Sequence, residues 1–217
     1  MAVSLKSVYK IICYGKEIAR KARRLGWLPG ARYTNLRDLR GVESVGMIDV
    51  DWENYDFDRH LRAVKLHCPL FTVARDLDDV RRLSELKEQA QKLREYASWV
   101  IVVPKIRQFN VIRPSISHRR HVLGFSMPSG YGKTLTPTDQ FLSAPVHLLG
   151  GRPLAQRQMA QSMDVVSFDC NSITIDAAFG KYFDGRGFQR HPRGGYVRCI
   201  LESMRSINEL WDDYRVS

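Results

Sequence analysis

The sequence predicts an α/β fold: a compact (β/α) TIM-barrel-like domain spanning residues 1–217. Three observations carry this reading. Seven short apolar runs lie along the chain, mostly separated by amphipathic stretches. Several of those runs are continuously apolar instead of alternating, as strands of a parallel sheet buried on both faces must be. Polar residues recur at the ends of the runs, where parallel α/β folds carry their sites. Seven strands are one short of a closed ring. The expectation is therefore a compact barrel lacking one strand, in preference to an open doubly wound sheet.

The elements follow in order. Val8 to Tyr14 reads as a strand, 15–25 as a basic helix ending at Gly26, and Leu28-Pro29-Gly30 as a turn. Val45 to Val50 is a second strand, and Phe57 to His67 a helix stopped by Pro69. Leu70 to Ala74 is a third strand. Asp78 is placed to cap a long helix to Ala97, with Val80, Leu83, Leu86, Ala90 and Leu93 on one stripe. Trp99 to Val103 is a strand, and 105–119 an irregular basic loop. His121 to Met127 and Pro145 to Leu149 are strands, Arg152 to Met163 a helix, and Val165 to Phe168 the seventh strand. Helices near Ile173–Phe183 and Val197–Tyr214 close the chain.

Composition bounds the function. A chain of 217 residues with 44% apolar and 26% charged residues is globular and long enough to bury a core without staples. The four cysteines (Cys13, Cys68, Cys170 and Cys199) form no CxxC pair, which excludes a zinc ribbon or thioredoxin motif. No apolar run approaches the roughly 18 residues of a membrane span, and no secretory leader is visible. A cytoplasmic protein with free thiols is the expectation.

The net charge of +11 points to a polyanionic partner, nucleic acid before membrane. Residues 1–40 hold ten Lys and Arg against Glu17 and Asp38. Lys105 to His121 holds five with no acid, and Lys181 to Arg198 holds five against Asp184. Any one such run is commonly a solvated helix face. Three together suggest a phosphate-tracking surface, with Arg23, Arg24, Arg119, Arg120, Arg186 and Arg190 as its candidate contacts. The runs 1–40 and 105–121 are expected to border one cleft.

At the strand ends stand Asp49 and Asp51, Arg75 and Asp76, Lys105, Ser126, Gly150-Gly151, and Asp169-Cys170-Asn171. A single Asp in such a place often does no more than cap a helix. Asp169 has less need to, since Cys170-Asn171-Ser172 follow it and can supply the cap.

The ordered segments His121-Val-Leu-Gly-Phe-Ser-Met127, Val146-His-Leu-Leu-Gly-Gly151 and Val165-Val-Ser-Phe-Asp-Cys170 resemble the C-terminal part of the tRNA-guanine transglycosylase barrel. There a glycine-rich base-pocket loop, a "YLMG" strand and a "DMFDC" strand follow at similar spacing. The similarity is greater to short phage-type members that insert 7-deazaguanine bases into DNA, which carry comparable "GARYTNLRD" and "SFDCN" segments. About 50 residues match by motif and the remainder by strand order.

The resemblance implies a base-exchange enzyme that replaces guanine in DNA, or in tRNA, with a 7-deazaguanine such as a preQ-type precursor. It gives Asp169 the role of nucleophile and assigns base contact to Gly124, Phe125 and Ser126, with Gly150, Gly151 and Asn171 beside them. Asp76 would read the Watson–Crick edge. Asp49 or Asp51 would assist proton transfer, although the "DSGG" context of the tRNA enzymes is missing. The family's Cys/His zinc subdomain has no counterpart here, so no metal and no cofactor are expected. Tyr131, Phe179, Tyr182 and Phe188 are candidates to stack on bases, or else core.

Chemistry at a glycosidic carbon needs such a pair of carboxylates. One captures the oxocarbenium-like centre covalently, and the other moves the proton of the departing and arriving base. Ser129-Gly-Tyr-Gly-Lys133-Thr134 ends like a phosphate-binding loop, but Met127 stands where the pattern needs glycine. The competing readings are a non-catalytic nucleic-acid-binding module and a metal-dependent nuclease built on the Asp cluster.

Overall fold

The structure is a computed structural model that describes residues 7–13, 15–116, 118–128 and 134–216. Eight parallel strands close into one barrel in sequence order. They are β1 (Tyr9–Ile12), β2 (Trp27–Arg32), β3 (Met47–Asp49), β4 (Phe71–Val73), β5 (Trp99–Val102), β6 (His121–Ser126), β7 (Pro145–Leu149) and β8 (Asp164–Asp169). The outer layer holds α1 (Lys16–Arg23), α2 (Phe57–His67), α3 (Leu83–Leu93), α4 (Phe109–Ile116), α5 (Pro153–Met159), α6 (Ser172–Ala178) and α7 (Tyr196–Leu210). A short antiparallel hairpin, β9 (Lys181–Phe183) with β10 (Phe188–Arg190), stands between α6 and α7. Among the described residues, no helix is long and apolar enough to cross a membrane.

The expected α/β barrel is present, and it is complete. The eighth strand is the segment read as a turn: Leu28, Pro29 and Gly30 lie inside β2, paired to β1 through Ile12↔Pro29 and to β3 through Gly30↔Met47. Pro and Gly punctuate loops in most sequences because one lacks a donor and the other lacks a side chain. Here Pro29 contributes only its carbonyl, which accepts the Gly46 N–H at 2.7 Å. Gly30 is needed for space. A Cβ there would lie 2.8 Å from Cys13 Sγ, 3.1 Å from the Met47 carbonyl oxygen and 3.2 Å from Ile11 Cγ2.

Three further expectations are corrected. The helix expected from Asp78 is shorter: Asp79, whose side chain accepts the Arg81 N–H at 2.9 Å, caps a 3-10 turn at Val80–Arg82, and α3 follows from Leu83. Asp78 instead pairs with Arg82 at 3.2 Å. The basic loop 105–119 contains α4, hidden in the sequence by Pro114 within it. The helix read to Phe183 stops at Ala178. Gly180 then turns the chain at φ 69°, and Lys181 begins β9.

Inside the barrel Tyr9 meets Phe71 edge-on at 5.6 Å. Outside, Phe168 stacks on Trp211 at 4.6 Å and meets Trp27 at 5.8 Å, which seats the end of α7 on the β8–β1–β2 wall. Asn208 strengthens that seat, accepting the Trp27 indole N–H at 3.0 Å and donating to the Leu25 carbonyl at 2.9 Å. His60 on α2 is buried and bonds Thr72 of β4 at 2.8 Å. Burial lowers its pKa to about 4, so it is a neutral packing group at ordinary pH.

Gly30→Ala is expected to overpack the barrel interior, because two of its three closest neighbours are a backbone oxygen and a β-branched side chain. The expected cost is about 1–3 kcal/mol in urea unfolding, and it should fall when Cys13→Ala is introduced alongside.

Candidate active site

Parallel closure puts the last residue of every strand on one rim. Asp49 ends β3 and Asp169 ends β8, while Cys13 follows β1 and Asp76 follows β4 by three residues. Arg32 ends β2 directly beside Asp49 in register, and Lys105 follows β5. The structure therefore brings Asp49, Asp76 and Asp169 to the same end of the barrel, as expected.

Asp169 is held from several sides. It is only 5% exposed. Its Oδ1 accepts the Gly150 N–H at 3.0 Å and lies 3.4 Å from His147 Nε2. Its Oδ2 accepts the Asn171 amide N–H at 3.1 Å, and the Gln156 amide donates to its main-chain oxygen at 2.7 Å. His147 is buried in the barrel interior, with Nδ1 2.8 Å from Ser167 Oγ. A Ser167 hydroxyl donating to Nδ1 leaves the imidazole proton on Nε2, which stands near Asp169 but makes no hydrogen bond among the described residues. N–H groups thus face both oxygens, the pattern that fixes the rotamer of a carboxylate.

Asp49 is set differently. Burial first, and then the charge of Asp169, push its carboxyl up to about 7; the Val50 N–H at 2.8 Å and Arg32 oppose the shift without cancelling it. Asp76 forms a 2.6 Å ion pair with Lys105, yet burial still raises its pKa. Burial, with Asp49 and Asp169 nearby, also raises the Cys13 thiol well above its ordinary value, so it stays protonated. One rim carries a carboxylate fixed by N–H donors and a second carboxyl group that exchanges its proton near neutrality.

Other expected site residues fall elsewhere. Asp51 lies in the loop after β3, where its side chain accepts the Asn54 N–H at 3.4 Å, so Asp49 alone of the two joins Asp169. Gly124 is not open to a ligand: a Cβ there would strike Val103, Leu149 and Ile101 at 2.7–2.9 Å, so its role is to admit those side chains. Phe125 points outward, its ring edge-on to Phe141 at 5.1 Å between the wall and the α4 region. Ser126 ends β6 at the rim, half-buried. Gly150 and Asn171 hold Asp169 instead of standing free for a base. Gly151, at φ 93°, packs against Met127. Tyr131 and Lys133 lie outside the described residues. Among the described residues, no group of three or more His, Cys, Asp or Glu side chains is arranged to hold a metal ion.

The charged candidates divide between the two ends. Arg23 and Arg24 precede β2, and Arg119 and Arg120 immediately precede β6. In a parallel barrel both positions lie at the N-terminal end, away from the carboxylates. They also lie on strands four places apart in the ring, so these four do not border one cleft, whereas Arg32 and Lys105 of the same two runs stand together at the carboxylate rim. Arg186 and Arg190 sit on the β9–β10 hairpin, whose Phe188 ring lies beneath Arg152 at 5.1 Å, next to the C-terminal end of β7.

Sequence reasoning missed His147, Gln156 and Arg32 as parts of the site. His147 had a signal, a polar residue in the middle of an otherwise apolar strand. Gln156 had none, since its contact depends on how α5 returns over β8.

An Asp that keeps its proton in the folded state, when the unfolded chain has lost it, costs stability as pH rises from about 4 through 7. Asp49→Asn is therefore expected to unfold at higher urea than the parent above pH 7. The advantage should shrink as pH falls towards 4, as read by paired denaturation curves.

Comparison with solved structures gives the X-ray crystal structure of the YdjI aldolase from Escherichia coli K12, with a TM-score of 0.55 over 95% of this chain and 92% of that one. Identity is 10%, so the likeness shows the barrel fold alone. No match was found among curated proteins. Residues 22–212, from the end of α1 through α7, match the model of a family of unknown function, DUF6610, and the chain belongs to that family.

Proposed function

We propose that this protein exchanges guanine in DNA for a 7-deazaguanine derivative through a covalent intermediate on Asp169. The observation that carries the proposal is the pairing at one barrel rim of Asp169, held by N–H donors on both oxygens, with Asp49, whose pKa is about 7. A carboxyl group whose proton burial retains to about pH 7, at the same rim as one held by N–H donors, can take the acid–base role and leave the nucleophilic one to its partner.

In this reading an Asp169 oxygen attacks C1′ as the C1′–N9 bond breaks, and the bonding pair leaves with guanine. The Asp49 carboxyl gives its proton to the departing base. Asp49, now a carboxylate, takes the N9 proton of the incoming 7-deazaguanine, whose nitrogen attacks C1′ and releases Asp169. No net redox change occurs, and each acid ends as it began. Asp76 would accept N–H donors common to both bases. The target nucleotide must leave the stack to reach a rim residue as buried as Asp169. The motif resemblance and the basic charge support nucleic acid as the substrate class. A binding module would have no use for a proton-exchanging acid beside an N–H-bound carboxylate.

Asp169→Asn keeps the shape and removes the nucleophile, so labelled-guanine exchange into DNA should fall by several orders of magnitude with little change in unfolding. Asp76→Ala should weaken base binding by about 1–3 kcal/mol. A DNA adduct that survives denaturing electrophoresis should form with the parent and not with Asp169→Asn. Exchange by Asp169→Asn at the parental rate would remove the assignment.

A further inference from the structure

The arginines that sequence reading placed around the site are split between two ends of the molecule, and a set it did not single out stands at the end that matters. Tyr214, just beyond α7, donates to the Met163 carbonyl at 3.4 Å and accepts the Val165 N–H at 2.7 Å, at the N-terminal end of β8. From there α7 runs back through 15 residues, about 22 Å. Six-residue strands such as β8 span about 20 Å. The first turns of α7 therefore stand level with the carboxylate rim, as does the hairpin held to Arg152 through Phe188.

This corner is strongly and unevenly charged. Arg186, Arg190, Arg193, Arg198 and Arg205 are all exposed, and none has an ion-pair partner among the described residues. The two acids among them are already engaged. Asp184 accepts the N–H groups of Arg186 and Gly187, both at 2.9 Å, and the Gln189 amide at 2.6 Å. Glu202 is bonded to His191 at 2.7 Å. Arg193, Arg198 and Arg205, with Tyr196, Leu201 and Glu202, line a groove of about 710 Å³. Arg198 and Arg205 are seven residues apart, hence on one face of α7 and about 10 Å apart along it.

We infer that this arginine-lined groove, continued by the β9–β10 hairpin, holds the sugar–phosphate backbone of the DNA whose base is treated at the rim. The inference rests on the proposed reaction for its choice of partner. Three guanidinium groups against one carboxylate, which His191 already engages, run along a rigid helix from the level of the rim and suit a chain of phosphates. Arg23, Arg24, Arg119 and Arg120 face the other end and are not part of this path.

The test measures binding of the full chain to a labelled DNA duplex across a salt series, in the Asp169→Asn background so that no chemistry is required. Joint replacement of Arg193, Arg198 and Arg205 by Gln should weaken binding at least tenfold at low salt. It should also flatten the dependence of log K on log salt by about three, near 0.9 for each lost phosphate contact. Removing equal charge with Gln at Arg20, Arg23 and Arg24 should change the slope by less than one. Arg198→Gln and Arg205→Gln singly, each at an exposed position, should each flatten it by about one, which keeps the test valid if the triple variant folds poorly. Equal effects from the two triples, an unchanged slope, or binding to anionic lipid vesicles in place of DNA would overturn the inference. Flattened binding without any guanine exchange by the parent would retain the surface and remove the reaction. Exchange with an unchanged slope would remove the surface alone.

Discussion

Closure of the eight-stranded ring is the constraint on which the rest of this structure depends. Asp49 and Asp169 are 120 residues apart in sequence, on β3 and β8. They influence each other only because the ring brings strand ends to one rim, and the ring closes only if β2 fits between β1 and β3. That fit turns on Gly30, where the Cys13 thiol, Ile11 and the Met47 carbonyl take up the space of a side chain. A packing condition inside the wall thus bears on the electrostatics at its mouth: Cys13, which crowds Gly30, is also the thiol that burial, and then the two acids, keep protonated.

Most of the fold was legible because a buried parallel strand needs a continuous apolar run, and such runs show in a sequence. Phe57–His67 and Pro145–Leu149 coincide with their expected bounds. β2 was not legible, because its middle residues are the two that ordinarily break strands and the reason they are tolerated lies on neighbouring strands. α4 was masked by Pro114, and the hairpin by the apolar residues it shares with a helix pattern. For the site, the identity of the acids at strand ends could be read, but their division of labour could not. Asp49 and Asp51 look equivalent in sequence; only the step from strand to loop separates the acid that feels the charge of Asp169 from the one that bonds Asn54.

Charge shows the same limit more sharply. Composition locates cations along the chain but is blind to which end of a barrel they reach. In a (β/α) ring, residues just before a strand and residues just after it belong to opposite faces, so a basic run crossing a helix–strand boundary is divided by the fold. Residues 1–40 are divided in this way: Arg23 and Arg24 go to one end and Arg32 to the other. The arginines of the hairpin and α7 escape this division because that segment lies after the last strand, as an appendage whose helix is longer than the barrel is tall.

The two acids of the rim could not share one environment and still divide the work. Two free carboxylates side by side would repel, and two protonated ones would offer no nucleophile. The wall resolves the conflict asymmetrically. Around Asp169 it supplies the Gly150 N–H, the Asn171 amide and the His147 ring, which is itself oriented by Ser167. Asp49 receives one N–H, from its neighbour Val50, and the exposed Arg32 acts on it through charge alone. Burial, and then the charge of Asp169, act on the less supported partner, whose proton is retained until pH approaches about 7. An acid that binds and releases a proton in that range, next to a carboxylate already provided with donors, can serve first as acid and then as base without rearrangement of the barrel.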